Sequence, residues 1–181
     1  IEAETTRILH AYGNHPSFLF LSSGNEPEGR WVETLSRWVE TRRRRDTRRL
    51  YAAVSGVPMR HELGSVSGTD FYVVTRIGQD RVRGEGGWNG KDYRVPVAKT
   101  NVPIVSHELG QYSAYPDLDA EDRYAGPLKP RFLELFRQSL TAHGLAGQEQ
   151  DFRRASGRLQ ALAYKEEIEA CLRTPGHAGF Q

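Results

Sequence analysis

Short, continuously apolar runs alternate with amphipathic segments along most of the chain. The apolar runs at residues 18–21, 50–54, 71–75 and 102–106 are typical of strands buried in a parallel sheet. Apolar residues at helical spacing predict helices over residues 5–12 and 31–39, and two further helices after residue 130. This alternation predicts an α/β fold with a parallel sheet, either a barrel or a doubly wound sheet.

The composition is that of a packed globular protein. Hydrophobic residues make up 38% of the chain and charged residues 27%, which excludes a disordered segment. Cys171 is the only cysteine, so an internal disulfide and a cysteine metal cluster are both excluded. No apolar run approaches the ~18 residues of a membrane span, and we expect no membrane partner, no metal and no cofactor. The cellular location stays open, with a periplasmic or secreted parent protein as one option.

Four consecutive arginines occupy positions 42–45, although the formal net charge is only +2. Such a run could bind nucleic acid through the phosphate backbone. It lies, however, where the helix over residues 31–39 should end, and cations there complement the helix dipole. We therefore expect a solvated helix end and no nucleic-acid partner.

Two glutamates each follow a predicted strand. Glu26 comes after the first strand and Glu108 after the fourth. Because the carboxyl ends of parallel strands meet at one edge of the sheet, both side chains should share that edge. Taken singly, Glu26 could cap the next helix and Glu108 could form a structural ion pair. As a pair they fit glycoside hydrolysis, in which one carboxylic acid protonates the leaving oxygen and a second carboxylate attacks or activates water.

A specific pattern surrounds the first of these glutamates. The apolar run is preceded by Tyr12, Gly13, Asn14, His15, Pro16 and Ser17 and is followed by Gly24, Asn25, Glu26 and Pro27. In this pattern Gly24 should allow a close approach and Pro27 should fix the chain after the acid. The whole segment resembles the acid/base region of glycoside hydrolase family 2, whose catalytic domain is a (β/α)8 barrel with two catalytic glutamates.

The resemblance implies a retaining β-glycosidase of the β-galactosidase, β-glucuronidase or β-mannosidase type. Glu26 would be the general acid/base and Glu108 the nucleophile, and a carbohydrate would be the partner. Tyr72 is a candidate for the tyrosine that related enzymes place beside the nucleophile. The residues expected to bind the sugar are Asn25, His107, Gln111, Trp88 and Tyr112.

The resemblance also implies a partial TIM (β/α)8 barrel with its helices outside. Residues 1–181 would supply about strands four to seven and the start of strand eight near residues 179–181. Because a whole barrel takes ~250 residues and the chain has no initiator methionine, we expect one segment of a catalytic domain from a longer multidomain protein. Loops after the missing strands would complete the pocket, so the isolated segment need not be active.

Other features of the sequence have weaker functional interpretations. The tetrapeptide His-Glu-Leu-Gly also occurs at residues 61–64, but no strand leads into it, so Glu62 is expected to be a surface residue. A zinc protease motif would need a second histidine where Gln111 stands. Residues 78–92 show no periodicity and are expected to form a long functional loop or an insertion. A non-catalytic carbohydrate-binding barrel remains the alternative from another class of function.

Overall fold

A computed structural model describes residues 1–56, 66–75, 90 and 92–181 of the chain. Within these ranges the helices and strands follow one another in an alternating order. The helices are α1 (Glu2–Tyr12), α2 (Trp31–Arg45), α3 (Arg94–Val97), α4 (Arg131–Ala142) and α5 (Glu149–Arg173), with 3₁₀ turns at Leu118–Arg123 and Ala146–Gln148. The strands are β1 (Phe20–Ser22), β2 (Leu50–Ala52), β3 (Tyr72–Thr75), β4 (Ile104–His107) and β5 (His177–Phe180).

The described strands form two small parallel sheets. One contains β1 and β2, and the other has the order β3-β4-β5, so neighbours in space are also neighbours along the chain. The backbone N–H of Asp70 donates to the carbonyl of Tyr51 at 2.9 Å, and Ala52 packs with Phe71 and Val73. These contacts place the start of β3 beside β2. The prediction of an α/β fold with parallel strands is therefore confirmed.

One face of the strands is covered by helices. The main core contains Tyr51, Tyr72, Val74 and Ile104 from the strands, and it contains side chains of α2, α3 and α5. The opposite face carries a smaller cluster of Ala52, Phe71, Val73 and Val105, to which no described helix contributes. The alternation of side chains along each strand thus separates a helix-covered face from a second face, whose buried residues are packed without a described helix.

Amphipathic spacing explains why α2 forms where the sequence predicts it. Leu35, Trp38 and Val39 face the core and are at most 8% exposed. On the outer side, Glu33 and Arg37 form an ion pair at 2.9 Å, one turn apart. The indole of Trp38 donates to the hydroxyl of Thr5 at 3.1 Å, which ties α2 to α1.

The chain folds as two compact units, one formed by residues 1–109 with 166–181 and the other by residues 110–165. The second unit has its own core around Leu118, Leu133 and Leu140. Helix α4 carries four apolar residues at helical spacing, Phe132, Leu133, Leu135 and Phe136. Of these only Leu133 is buried, and Leu135 is 63% exposed. No helix in the described ranges is long and apolar enough to cross a membrane.

Two sequence expectations about burial are wrong. The strand predicted over residues 18–21 is not buried on both faces, because Leu19, just before β1, is 52% exposed and Phe20, its first residue, is 56% exposed. The arginine run is not wholly solvated either. Arg42 is 4% exposed, contacts the carboxylate of Glu2 and donates to the Glu2 carbonyl at 3.2 Å. Burial lowers the pKa of Arg42.

Candidate active site

The backbone holds Glu26 at the carboxyl end of the first sheet. Beyond β1 and β2 the two chain segments continue side by side, with Asn25 and Ser55 forming an isolated parallel bridge. The N–H of Glu26 donates to the carbonyl of Ser55 at 3.0 Å, and the N–H of Ser55 donates to the carbonyl of Gly24 at 2.7 Å. The side chains of Asn25 and Glu26 are both exposed. The acid/base candidate thus lies on a paired loop and is open to solvent.

Glu108 follows β4 immediately, at the carboxyl end of the three-stranded sheet. His107, the last residue of β4, is paired with Thr75 at the end of β3. The N–H of Leu109 donates to the carbonyl of Gln181 at 3.1 Å, and the N–H of Gln181 donates to the carbonyl of Ser106 at 2.9 Å. These bonds fix the backbone on both sides of Glu108, whose side chain is 35% exposed.

Both candidate catalytic glutamates have a left-handed backbone conformation. Among the described residues, positive φ outside glycine occurs at Glu26 (44°), Glu108 (54°) and Gln111 (50°). For residues other than glycine this conformation costs ~1–2 kcal/mol, and only asparagine and aspartate adopt it with some regularity. Such strained positions cluster at functional sites, where the surrounding structure enforces them. All three are residues that the sequence had singled out for the site.

His107 lies between Glu108 and the end of the chain. Its Nδ1 is 3.2 Å from the amide Nε2 of Gln181, and its Nε2 is 3.4 Å from the carboxylate Oε1 of Glu108. The Nε2 atom is buried and makes no hydrogen bond of good geometry. The ring is therefore held by Gln181 on one side, and its other nitrogen lies near the candidate nucleophile.

Gln181 did not emerge from the sequence as a site residue. The signal that identifies it is strand pairing, since β5 lies parallel to β4 and Ser106 is paired with Phe180. The residue after β5 must then lie beside the residues that follow Ser106. The sequence predicted a strand near residues 179–181, but only the register of β5 against β4 shows that Gln181 lies beside His107 and Glu108.

The other predicted sugar-binding residues are distributed differently. Gln111 and Tyr112 belong to the second unit, where Gln111 is exposed. The ring of Tyr112 packs edge-on against Tyr164 at 5.6 Å, and its carbonyl accepts a hydrogen bond from Gln160. Gly110, buried at the start of this unit, leaves room for Tyr164, because an added Cβ would lie 2.3 Å from that ring. Tyr112 therefore has a packing role in its own unit.

Several sequence-based assignments lie outside the described residues. Trp88, predicted to stack on a sugar, is one of them, and so is Glu62, predicted to be a surface residue. Of the predicted long loop over residues 78–92, the structure describes only Gly90 and Asp92.

One sequence expectation near the site is wrong. Tyr72 is not placed to meet Glu108, because it lies three residues before the end of β3 on the helix-covered face. There it is 4% exposed and donates to the carbonyl of Val66 at 3.0 Å. At Gly24, no described atom lies within 4 Å of a Cβ built on the backbone, so the space beside this glycine is open.

A second set of potentially reactive side chains lies under the sheet. The hydroxyl of Ser106 is 2.9 Å from the ring Nε2 of His177 and 3.9 Å from the thiol of Cys171. Burial lowers the pKa of His177 and raises that of Cys171. Ser106 and Cys171 are each 2% exposed on the helix-covered face. A substrate cannot reach a nucleophile there, so this group serves packing rather than catalysis.

Three carboxylates in the second unit could in principle hold a cation. Oxygen atoms of Asp117, Asp119 and Glu149 lie within 4.8 Å of one another. Asp117 is already paired with Arg153 at 3.0 Å, and Glu149 accepts from the backbone N–H of Leu118 at 3.2 Å. Two of the three carboxylates thus already have partners within the protein.

A cavity of about 550 Å³ lies on the side where β3 and β4 begin. Its lining includes Ser67, Thr69 and Thr100, whose hydroxyls bond to Glu40, to the backbone of Tyr51 and Phe71, and to the backbone of Val102. These polar groups are engaged within the protein. The cavity lies at the other end of the strands from Glu108.

Comparison with models of known protein families gives no match, and a search of curated proteins gives no significant match. The geometry of the strand ends therefore carries the functional argument.

Proposed function

We propose that the chain contributes the catalytic centre of a retaining β-glycosidase, as the family 2 resemblance implies. Its architecture would be part of a (β/α)8 barrel. Two features support a barrel over a doubly wound sheet. The strand order follows the chain order, and the described helices that reach the main core cover a single face of the strands. The other face, with Val73 and Val105, would then line the barrel interior.

The observation that carries the proposal is the conformation of Glu26 and Glu108. Each follows a parallel strand, and each has a positive φ that a glutamate adopts only at a cost. A helix cap or a surface ion pair would not require this conformation. A site that must present a carboxylate at the end of a strand gives a reason for it.

In the proposed mechanism Glu108 is ionised and attacks the anomeric carbon of the sugar. The bond from that carbon to the leaving oxygen breaks, and protonated Glu26 transfers its proton to this oxygen. Glu26, now a carboxylate, then takes a proton from water as the water oxygen displaces Glu108 from the sugar. Two inversions leave the configuration retained, and the carboxyl groups must approach to about 5–5.5 Å in the working enzyme.

Asn25 would support this reaction from the loop of Glu26. Its amide is exposed beside the acid/base, and the bridge to Ser55 fixes its backbone. An amide at this position would hydrogen-bond the sugar 2-hydroxyl, a bond that strengthens as charge develops on the ring. The proposed substrate is a β-galactoside, β-glucuronide or β-mannoside.

The test is hydrolysis of a panel of aryl β-glycosides by the full-length protein and by its Glu26→Ala and Glu108→Ala variants. Loss of the acid/base should lower turnover about 10²–10⁴-fold, and loss of the nucleophile should lower it at least as much. Added azide should then separate the two roles. Glu26→Ala should yield a β-glycosyl azide and Glu108→Ala an α-glycosyl azide.

Matched control variants are available in the same chain. Glu28→Ala removes an exposed carboxylate two residues from Glu26, and Glu62→Ala removes the glutamate of the duplicated tetrapeptide. Both should retain wild-type turnover. Full activity in Glu26→Ala and Glu108→Ala would refute the glycosidase and favour a non-catalytic carbohydrate-binding protein, if the chain still bound sugar.

A further inference from the structure

The contacts of His107 determine which of its ring nitrogens carries the proton. A side-chain amide nitrogen only donates hydrogen bonds, so the Nε2 of Gln181 must donate to Nδ1 of His107, 3.2 Å away. In the neutral imidazole Nδ1 is then the acceptor and Nε2 carries the hydrogen. The Nε2 atom that carries it lies 3.4 Å from the carboxylate Oε1 of Glu108 but makes no hydrogen bond of good geometry to it in this structure.

The position of Gln181 does not depend on its side chain. Its N–H and carbonyl are bonded to Ser106 and Leu109, on either side of the His107–Glu108 pair. The amide therefore reaches the histidine from a backbone that the sheet itself fixes. The His107 side chain is 17% exposed and its Nε2 atom is buried, so water has limited access to that nitrogen.

We propose that Gln181 and His107 are positioning residues for the nucleophile, an inference that rests on the proposed function. Gln181 selects the Nε2–H tautomer, and His107 holds this N–H close to Glu108. The hydrogen bond between them forms in the working enzyme, because catalytic hydrogen bonds are often long in the free protein and tighten in the complex. It is strongest when Glu108 carries its full charge, because donors to ionised acceptors form the stronger hydrogen bonds. It weakens when Glu108 is esterified by the sugar and is restored when Glu108 leaves as a carboxylate.

The kinetic consequence falls mainly on hydrolysis of the glycosyl-enzyme, the step that regenerates the Glu108 carboxylate. Gln181→Met removes the amide donor while leaving the backbone bonds of residue 181 in place. His107→Phe removes the donor to Glu108 itself, and loss of one hydrogen bond to a charged group should slow this step on the order of 10- to 100-fold. Gln181→Met should slow it less, because the Nε2–H form stays partly populated. Formation of the glycosyl-enzyme should slow less, so that the intermediate accumulates.

Two measurements test the inference. The first is ¹⁵N NMR of the His107 ring in histidine-labelled wild-type protein, assigned by difference with His107→Phe. The neutral ring should carry its hydrogen on Nε2, and the Nδ1–H form should gain population in Gln181→Met. The second is pre-steady-state hydrolysis of an activated aryl β-glycoside by wild type, Gln181→Met, His107→Phe and the control Gln138→Met on the exposed side of α4.

The outcomes separate this inference from the proposed function. A hydrogen on Nδ1 in the wild type would overturn the inference without any activity assay. Wild-type partitioning in Gln181→Met and His107→Phe would also overturn it, and the function would stand if Glu108→Ala were inactive and rescued by azide. Full activity of Glu108→Ala would instead remove the function on which the inference rests.

Discussion

Replacing Glu26 with glycine should leave the protein more stable than replacing it with alanine. The residue is exposed, so truncating its side chain opens no cavity, and the comparison depends mainly on its φ of 44°. In this conformation alanine bears a cost of about 1–2 kcal/mol that glycine avoids. Glycine in turn loses about 0.4–1 kcal/mol more chain entropy on folding. The free energy of unfolding of Glu26→Gly should therefore exceed that of Glu26→Ala by about 0.5–1 kcal/mol.

A matched pair of variants at Glu33 should show the opposite order. Glu33 is exposed in the first turn of α2, where glycine is about 0.5–1 kcal/mol less favourable than alanine. Urea denaturation of the four variants measures both differences, provided that the m-value is constant. Each comparison is between the glycine and the alanine variant at one position. Both variants lack the glutamate side chain, so the loss of its ion pairs does not contribute to the difference between them.

The two Glu26 variants should be equally inactive, which separates stability from catalysis. If Glu26→Ala were the more stable of the two by the margin found at Glu33, the left-handed conformation would be refuted. The structural argument for a strained catalytic loop would fall with it. If the glycine variant is the more stable, natural glutamate at this position has been retained despite its conformational cost.

Acid should weaken the fold through two buried groups. Burial alone raises the pKa of Asp46, but hydrogen bonds from Arg48, Arg49 and Tyr51 outweigh it and lower the pKa from 3.8 to about 2. The resulting stabilisation of about 2 kcal/mol is present above pH ~4 and is lost as the pH falls through 2. Asp46→Asn should therefore be less stable than wild type at pH 7 but not at pH 1.5. Equal stability of the two proteins at pH 7 would contradict this. Burial lowers the pKa of His177 below 6.5, so folding favours its neutral form and the stability of the protein should fall as the pH drops below 6.5. Urea denaturation at a series of pH values should show a smaller loss of stability in His177→Asn than in wild type. The same dependence of stability on pH in both proteins would exclude His177 as its origin.

The sequence predicted the strands and helices well because their signals are local. Apolar runs and helical spacing depend only on neighbouring residues, and they located β2, β3, β4 and α2 to within a few positions. The last strand had no such local signal: it was expected near residues 179–181 from the family 2 resemblance, and in the structure it begins at His177. What local patterns cannot supply is the partner of each side chain across the fold.

Arg42 and Tyr72 show this limit in particular residues. Arg42 is buried because Glu2, forty residues earlier, lies against the end of α2. Tyr72 was a candidate for the site because of its residue type, but the alternation of β3 directs it to the helix-covered face. Gln181 was missed for the converse reason, since its role depends on the register of β5 against β4. In each instance a long-range contact decided the outcome.

The left-handed turn at Glu108 has a physical explanation in the alternation of β4. Ile104 and Ser106 lie on the helix-covered face and are 0% and 2% exposed, so a regular continuation of the strand would direct Glu108 into the same core. An uncompensated carboxylate there would cost several kcal/mol. A left-handed residue costs about 1–2 kcal/mol and ends the alternation, leaving the side chain 35% exposed. The smaller cost therefore decides the local structure, and it leaves a carboxylate at the end of the strand, beside the N–H of His107.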